Sequence, residues 1–88
     1  MIPRIKAIVP LPDFLLSVSF DDGKQVVYDV KTDFNLPGYR LLADVPGLFK
    51  QVQLDQSRTC VFWSDEIDLP SDAIYEFGRD NHVQTTEQ

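Results

Sequence analysis

Two alternating segments on either side of an Asp-Gly pair constrain the fold of this chain most strongly. The segments FLLSVSF and KQVVYDV each place apolar residues at every second position, which is typical of strands with one buried face. Asp22-Gly23 lies between them, and glycine accepts the positive φ of a tight turn without a Cβ clash. The sequence therefore predicts an antiparallel hairpin from Leu15 to Val30. Its buried face is predicted to carry Phe14, Leu16, Val18, Phe20, Val26, Tyr28 and Val30.

The segments on both sides of this hairpin predict further strands. Residues 5–9 form a β-type run that PLPD ends. Residues 52–54, 59–63 and 67–69 predict a second β-meander with polar turns between its strands. Two Pro-Gly pairs break the middle of the chain, so only short helical turns or a strand lead-in fit there.

The segment SDAIYEF predicts one or two helical turns near the C-terminus. Ser71 is expected to cap them through its hydroxyl, and Gly78 is expected to end them. The predicted fold class is therefore α+β: a small antiparallel β-sheet of two β-meanders, about five to six strands, with short helices. In this prediction residues 1–77 form a single α+β domain, and residues 78–88 form a flexible C-terminal tail.

The charge balance disfavours several classes of partner. The chain has a formal net charge of −6, and its basic residues are scattered, without the patch that nucleic-acid binding needs. The same balance disfavours an anionic membrane surface and suits a basic protein partner. One cysteine excludes an intramolecular disulfide, and no segment approaches the roughly 20 apolar residues of a membrane span. We therefore expect a cytoplasmic protein with no direct nucleic-acid contact and no membrane contact.

Four acids in the stretch VFWSDEIDLPSDAIY raise the question of a metal site: Asp65, Glu66, Asp68 and Asp72. A calcium loop needs a central glycine and a terminal bidentate glutamate, and neither follows these acids in register. A zinc site needs several Cys or His ligands, and the chain has one of each. We therefore predict no metal site.

Two interpretations of the acids from residue 65 to 68 remain. A carboxylate pair performs general acid–base catalysis when the two acids are held across a cleft with separated pKa values. The simpler interpretation places Asp65 in a turn, and Glu66 and Asp68 on the solvent-facing side of a strand. Ile67 and Leu69 then face the core. We favour the simpler interpretation, because turn and surface roles suit these residue types without further assumptions.

The sequence offers no other catalytic set. Cys60 lies in an apolar strand, and the one histidine, His82, lies in the predicted tail. Serine nucleophiles lack a histidine partner for the same reason. Glycine-rich phosphate-binding motifs do not occur. Arg58 and Arg79 can pair an anion, but an arginine beside a turn is usually solvated. We therefore predict no catalytic residue, no cofactor and no enzymatic activity.

Several apolar and acidic residues are candidates for contact with a partner. Trp63 is expected in the core. Its neighbour Phe62 points to the opposite face of the same strand, so one of the two side chains points outward unless both faces of the sheet are covered. Tryptophan and tyrosine are enriched at protein interfaces. The predicted partner-contact set is Phe34, Leu36, Tyr39, Trp63, Asp65, Glu66 and Asp68.

Four parts of the chain occur in the order and spacing of a known family. A proline and β-run at the start, then LSVSFDDGKQVVYDV, LLADVPGLFKQVQLD and VFWSDEIDLPSDAIY, resemble the bacterial family called domain of unknown function 2442. The resemblance covers residues 3–75, with Pro70 and Ile74 where serine and leucine are common. It implies a small α+β domain with antiparallel strands and short helices, and it supplies no catalytic residue. Members stand alone, are fused to a helix-turn-helix domain, or are encoded beside another small family, which suggests toxin–antitoxin pairing.

These observations lead to one main hypothesis and two rivals. The main hypothesis is a non-enzymatic protein-interaction domain, an antitoxin-like partner of a basic protein encoded nearby. A homodimer through an exposed sheet edge is a variant of it. The first rival is a small-molecule-binding or enzymatic domain with a carboxylate cluster near Trp63. The second is a DNA-associated regulator that acts through a partner.

Overall fold

The chain folds into two antiparallel sheets with short helices in the connections, which confirms the predicted α+β class. A computed structural model describes residues 2–80, without the side chain of residue 80. The strands are β1 (Ile5–Leu11), β2 (Leu15–Phe20), β3 (Gln25–Asp29), β4 (Gln53–Leu54), β5 (Cys60–Ser64), β6 (Ile67–Pro70) and β7 (Arg79–Asp80). The α-helices are α1 (Leu41–Asp44) and α2 (Ser71–Phe77). Short 3₁₀ turns cover Pro12–Phe14, Val30–Asp33 and Phe49–Gln51.

The first sheet has the strand order β1-β2-β3-β7 and contains the predicted hairpin. β2 and β3 pair antiparallel, with Val18 opposite Val26. In the turn between them Gly23 has a φ of 96°. The Asp22 Oδ1 atom accepts a 2.9 Å hydrogen bond from the Lys24 amide. The turn therefore forms where the Asp-Gly pair predicts it, and its geometry uses the positive φ that glycine permits.

The second sheet has the strand order β4-β5-β6 and contains the second predicted meander. β5 and β6 pair antiparallel with Val61 opposite Leu69, and residues 65–66 form the turn between them. Arg58, in the turn between β4 and β5, has a φ of 62°. Its carbonyl oxygen accepts a 2.7 Å hydrogen bond from the Ile5 amide of β1. This backbone bond connects the two sheets at one end.

The buried faces of the two sheets share one hydrophobic core with both helices. Alternate residues of each strand point to the same side, so the alternation seen in the sequence becomes the lining of this core. The buried apolar side chains are Ile5, Leu16, Val18, Phe20, Val26, Tyr28, Val30, Leu42, Phe49, Val61, Trp63, Ile67, Leu69 and Ile74. Of the predicted hairpin face, Phe14 alone is half-buried, because it belongs to the 3₁₀ turn before β2.

Ser71 has a different role from the predicted helix cap. Pro70 occupies the N-cap position of α2, and in the described part of the chain no side-chain hydrogen bond caps this helix. The Ser71 side chain is fully buried, and its hydroxyl donates a 2.6 Å hydrogen bond to the Pro3 carbonyl oxygen. The expectation of a cap was wrong because the hydroxyl has a partner in the N-terminal segment instead of in its own helix.

The middle of the chain forms short turns that pack on the second sheet. Leu42 of α1 and Phe49 are buried. The Tyr39 phenol donates a hydrogen bond to the Asp68 carbonyl oxygen of β6. The Trp63 Nε1 atom donates a 2.9 Å hydrogen bond to the Phe49 carbonyl oxygen. The segment that two Pro-Gly pairs break is therefore fixed by single side chains and not by a long helix.

The structure describes only the start of the predicted tail. Gly78 ends α2, as expected, and its amide donates to the Ile74 carbonyl oxygen. In β7, Arg79 lies opposite Val27 of β3. Residues 81–88, which include His82, lie outside the described residues, so the flexible tail stays a prediction. Within residues 2–80, no helix has the length and apolar character needed to cross a membrane.

Candidate functional site

A groove of about 1180 Å³ lies between the β2–β3 turn, the N-terminal segment and α2. Its lining includes four carboxylates, from Asp21, Asp22, Asp72 and Glu76, and two cationic side chains, from Arg4 and Lys24. Phe20 and Tyr75 add apolar and aromatic surface. We call this cavity the acidic groove, because carboxylates outnumber cations among the described residues of its lining.

Tyr75 and Asp22 form a hydrogen-bonded pair at the centre of the acidic groove. The Tyr75 hydroxyl donates a 2.6 Å hydrogen bond to the Asp22 Oδ2 atom. This bond, together with the one from the Lys24 amide, lowers the pKa of Asp22. The same bond to Asp22 raises the pKa of Tyr75. At neutral pH the carboxylate is therefore charged and the phenol is protonated, so the pair is set as acceptor and donor.

Lys24 occupies the face of the Tyr75 ring. Its Nζ atom lies 4.0 Å from the ring centroid, within the range of a cation–π interaction. The same ammonium donates a 3.0 Å hydrogen bond to the Tyr75 carbonyl oxygen. Phe20 packs against the ring edge to face, at 4.9 Å between centroids. Tyr75 is thus held in place from three sides, and one of its contacts already is an ammonium group.

The carboxylates of the acidic groove differ in whether another side chain already binds them. The Arg58 Nη1 atom lies 2.9 Å from Asp21 Oδ1, so the charge of Asp21 is balanced. Asp72 and Glu76 are exposed, and within residues 2–80 neither makes a salt bridge. They are four positions apart on α2 and therefore share one face of the helix. Asp21 and Asp22 each have a side-chain partner, Arg58 and Tyr75, so α2 is the wall whose carboxylates have none among the described residues.

The acids predicted as partner contacts lie elsewhere on the surface. Asp65, Glu66 and Asp68 are all exposed, and none of them lines the acidic groove. Glu66 is in the β5–β6 turn, whereas Asp68 is in β6 with buried neighbours, Ile67 and Leu69. The predicted burial of those two neighbours is confirmed. The expectation that Glu66 and Asp68 share a strand face was wrong, because β6 begins at Ile67.

The aromatic members of the predicted set all pack against other parts of the same chain. Trp63 is 8% exposed and stacks on Phe49 at 5.9 Å between ring centroids, so it belongs to the core. Phe34 is half-buried and packs edge to face on Phe14 at 5.4 Å. Tyr39 is bonded to Asp68, as described above, and burial is the main cause that raises the pKa of its phenol.

Leu36 completes the predicted set, with 45% of its surface exposed. Of the predicted residues, the structure brings Tyr39 and Asp68 into direct contact. Contact of any of these residues with a partner stays a prediction.

Two further residues considered in the sequence have structural partners. Burial raises the pKa of the Cys60 thiol, which is the opposite of what a nucleophilic thiolate requires. Arg58, besides its ion pair with Asp21, donates a 3.3 Å hydrogen bond to the Ile5 carbonyl oxygen. Arg58 is therefore a connection between the sheets and not a free anion-binding side chain. In residues 2–80, no three or more His, Cys, Asp or Glu side chains come close enough together to hold a metal ion.

Sequence reasoning singled out Asp72 among the candidate acids but did not predict the acidic groove that it lines. The spacing of Asp72 and Glu76 was visible as an i, i+4 pair of acids on a predicted helix. The meeting of Tyr75 with Asp22, 53 positions apart, had no signal in the sequence. Comparisons of the chain with family models, with curated proteins and with solved structures find no match in any of the three. Membership of the family named domain of unknown function 2442 therefore stays a prediction.

Proposed function

We propose that the chain is a non-enzymatic protein-interaction domain that receives a basic segment of a partner protein in the acidic groove. The observation that carries the proposal is the α2 wall, where Asp72 and Glu76 are exposed and unpaired within the described residues. The net charge of −6 attracts a basic partner over distances up to the screening length, about 10 Å at 0.1 M salt. Charge therefore favours the encounter, and the groove supplies the contact.

The chemistry of the groove suits lysine and arginine side chains. Two carboxylates on one helix face accept hydrogen bonds from a guanidinium group, which has several donors in a fixed plane. The Tyr75 ring already binds an ammonium group, that of Lys24, on one face. Exposed charge pairs each contribute only about 0.2–1 kcal/mol, so several contacts are needed for a stable complex. A segment with more than one basic residue is the partner that fits.

Titration with a short basic peptide tests the proposal directly. The probe is an end-capped peptide with two Lys-Arg pairs, followed by ¹H–¹⁵N NMR spectra of the labelled chain, and a Glu-Asp peptide is its control. We expect saturable shifts at the amides of residues 21–24 and 72–76 for the basic peptide alone. The double substitution Asp72→Asn with Glu76→Gln is expected to weaken binding about threefold to tenfold, because it removes two exposed charge pairs.

A matched variant separates the groove from general charge. Asp65→Asn with Glu66→Gln makes the same change of charge in the β5–β6 turn, outside the groove. It is expected to leave binding within about twofold of the wild type, since only long-range attraction changes. Equal weakening by both double variants, or shifts spread over the whole surface, would contradict a specific groove. If the peptide binds as expected, loss of co-purification with a neighbouring gene product in the α2 variant then identifies the natural partner.

A further inference from the structure

A second groove, of about 540 Å³, lies between the end of β1 and the segment from α1 to the 3₁₀ turn after it. Its walls are mainly apolar, and this volume is within the range of small-molecule sites, about 300–1,000 Å³. We call it the apolar groove. The side chains that matter for its chemistry are Leu11, Phe14, Leu42, Val45 and Phe49.

Charge in the apolar groove comes from two residues, Asp13 and Lys50. Asp13 has an ionic partner, because the Lys31 Nζ atom lies 3.2 Å from its Oδ2 atom, although Lys31 is shared with Asp29, whose Oδ1 atom is 3.0 Å away. Lys31 also donates a 2.6 Å hydrogen bond to the Asp13 carbonyl oxygen. Lys50 is exposed, and no carboxylate described in residues 2–79 lies within ion-pair distance of it. Among the described residues, the groove therefore presents an apolar wall beside one cation that has no ionic partner.

The lip of the apolar groove contains a strained stretch of backbone. Asp13 and Phe14 have φ angles of 66° and 59°, in the left-handed region that bulky residues rarely adopt. The Phe14 ring is held by edge-to-face contacts with Phe34 and Phe49, both at 5.4 Å. Strain of this kind is concentrated at ligand sites, where surrounding contacts maintain it. Here it directs an aromatic ring into the wall of a cavity.

We propose that the apolar groove binds a small apolar monocarboxylic acid. The hydrocarbon part lies against Phe14, Leu42 and Val45, and the carboxylate lies at the Lys50 ammonium group. Charge complementarity decides the class of ligand, because Lys50 is the charged side chain of the described lining that has no ionic partner. The net charge of −6 opposes the binding of polyanions. It has little effect on the binding of one carboxylate beside a lysine, because salt screens the distant charges of the chain. This site does not depend on the function proposed for the acidic groove.

The probe for this site is 4-phenylbutyrate, with the neutral 4-phenylbutyramide as its matched control. For an acid of this size we expect a dissociation constant of about 2 mM. Shifts in ¹H–¹⁵N spectra are expected at residues 10–14 and 42–50, with saturation. Trp63 fluorescence should change as well, because Phe49 lines the groove and stacks on Trp63 at 5.9 Å. The acid is expected to bind about twofold to fivefold more tightly than the amide.

Substitutions at the groove separate the charge contribution from the apolar one. Lys50→Gln should abolish the preference for the acid over the amide and leave binding of the amide unchanged. Val45→Asp, at a residue 43% exposed, should weaken binding of the acid at least fivefold, because it places a negative charge beside the ligand. Leu36→Asp is the matched control, since Leu36 is 45% exposed and lies outside this groove.

Several outcomes would overturn the assignment. No saturation by about 20 mM acid, ten times the expected dissociation constant, would exclude the site. Equal affinity for the acid and the amide would remove the role of Lys50. Equal effects of Val45→Asp and Leu36→Asp would show that binding occurs elsewhere. Sedimentation of the free chain tests a different occupant: a dimer that Val45→Asp dissociates would assign the groove to a second copy of the chain.

Discussion

Gly78 gives the sharpest test of how α2 packs against the first sheet. Its φ of −71° is accessible to any residue, so conformational freedom does not explain a glycine at this position. A Cβ atom built there would lie 2.7 Å from the Ile74 carbonyl oxygen and 2.8 Å from the Val26 Cγ2 atom. Contacts below 3.0 Å essentially do not occur for real Cβ atoms. In a Gly78→Ala variant, α2 or β3 must therefore move.

The expected cost follows from two effects of opposite sign. Overpacking a well-packed site costs about 1–3 kcal/mol, and both Ile74 and Val26 have 0% exposure, so neither can move aside into solvent without a wider rearrangement. Replacing glycine by alanine also reduces the entropy of the unfolded chain, which stabilises the fold by about 0.4–1 kcal/mol. We therefore expect Gly78→Ala to lower the free energy of unfolding by about 1–2 kcal/mol.

Urea unfolding followed by Trp63 fluorescence measures this change. The midpoint should fall while the m value stays constant, since the surface exposed on unfolding is nearly the same. The pair Gly78→Asn and Gly23→Asn provides a matched comparison. At Gly23 the added Cβ meets nothing within 4 Å, and asparagine tolerates positive φ. Gly23→Asn should therefore lower the free energy of unfolding by less than about 1 kcal/mol. A Gly78→Ala variant as stable as the wild type, or more stable, would refute the close approach of α2 to β3.

Two further substitutions test buried hydroxyl groups. Ser71→Ala removes the donor to the Pro3 carbonyl oxygen. It should lower the free energy of unfolding by about 1–2 kcal/mol in the urea assay, because the partly buried carbonyl group loses its partner. An unchanged free energy of unfolding would contradict this role of the Ser71 hydroxyl. Tyr28 tests pH dependence, because burial, followed by the hydrogen bond to Asp33, raises the pKa of its phenol to about 12. Between about pH 10 and pH 12 the phenol of Tyr28 keeps its proton in the folded state, whereas in the unfolded chain it loses that proton. The contribution of Tyr28 to the free energy of unfolding is therefore complete below about pH 10, and it falls by about 2 kcal/mol as pH approaches 12. Urea unfolding between these pH values should show a smaller loss for Tyr28→Phe than for the wild type, and parallel losses would contradict the raised pKa.

Local patterns were sufficient to predict most strands and turns. The alternation around Asp22-Gly23 identified β2, β3 and their turn, because periodicity records which side of a strand faces the core. Ile67, Asp68 and Leu69 likewise had the predicted burial pattern, buried on either side of an exposed acid. The PLPD segment was predicted to end the run at residue 9, but β1 continues through Pro10 and Leu11. Proline and aspartate also did not indicate two successive residues with positive φ. Strand β7 had no signal, since Arg79 and Asp80 are both charged and belong to no apolar alternation.

The candidate sites depend on residues that meet only after the sheets and helices have packed. A serine before a helical pattern fits a cap by every local rule, yet the Ser71 hydroxyl reaches Pro3, 68 positions away. Tyr75 reaches Asp22 across 53 positions. Strands and turns leave local patterns in the sequence, whereas the partner of a side chain depends on the relative placement of whole elements. That placement is set by how the common core is filled, and a one-dimensional pattern does not contain it.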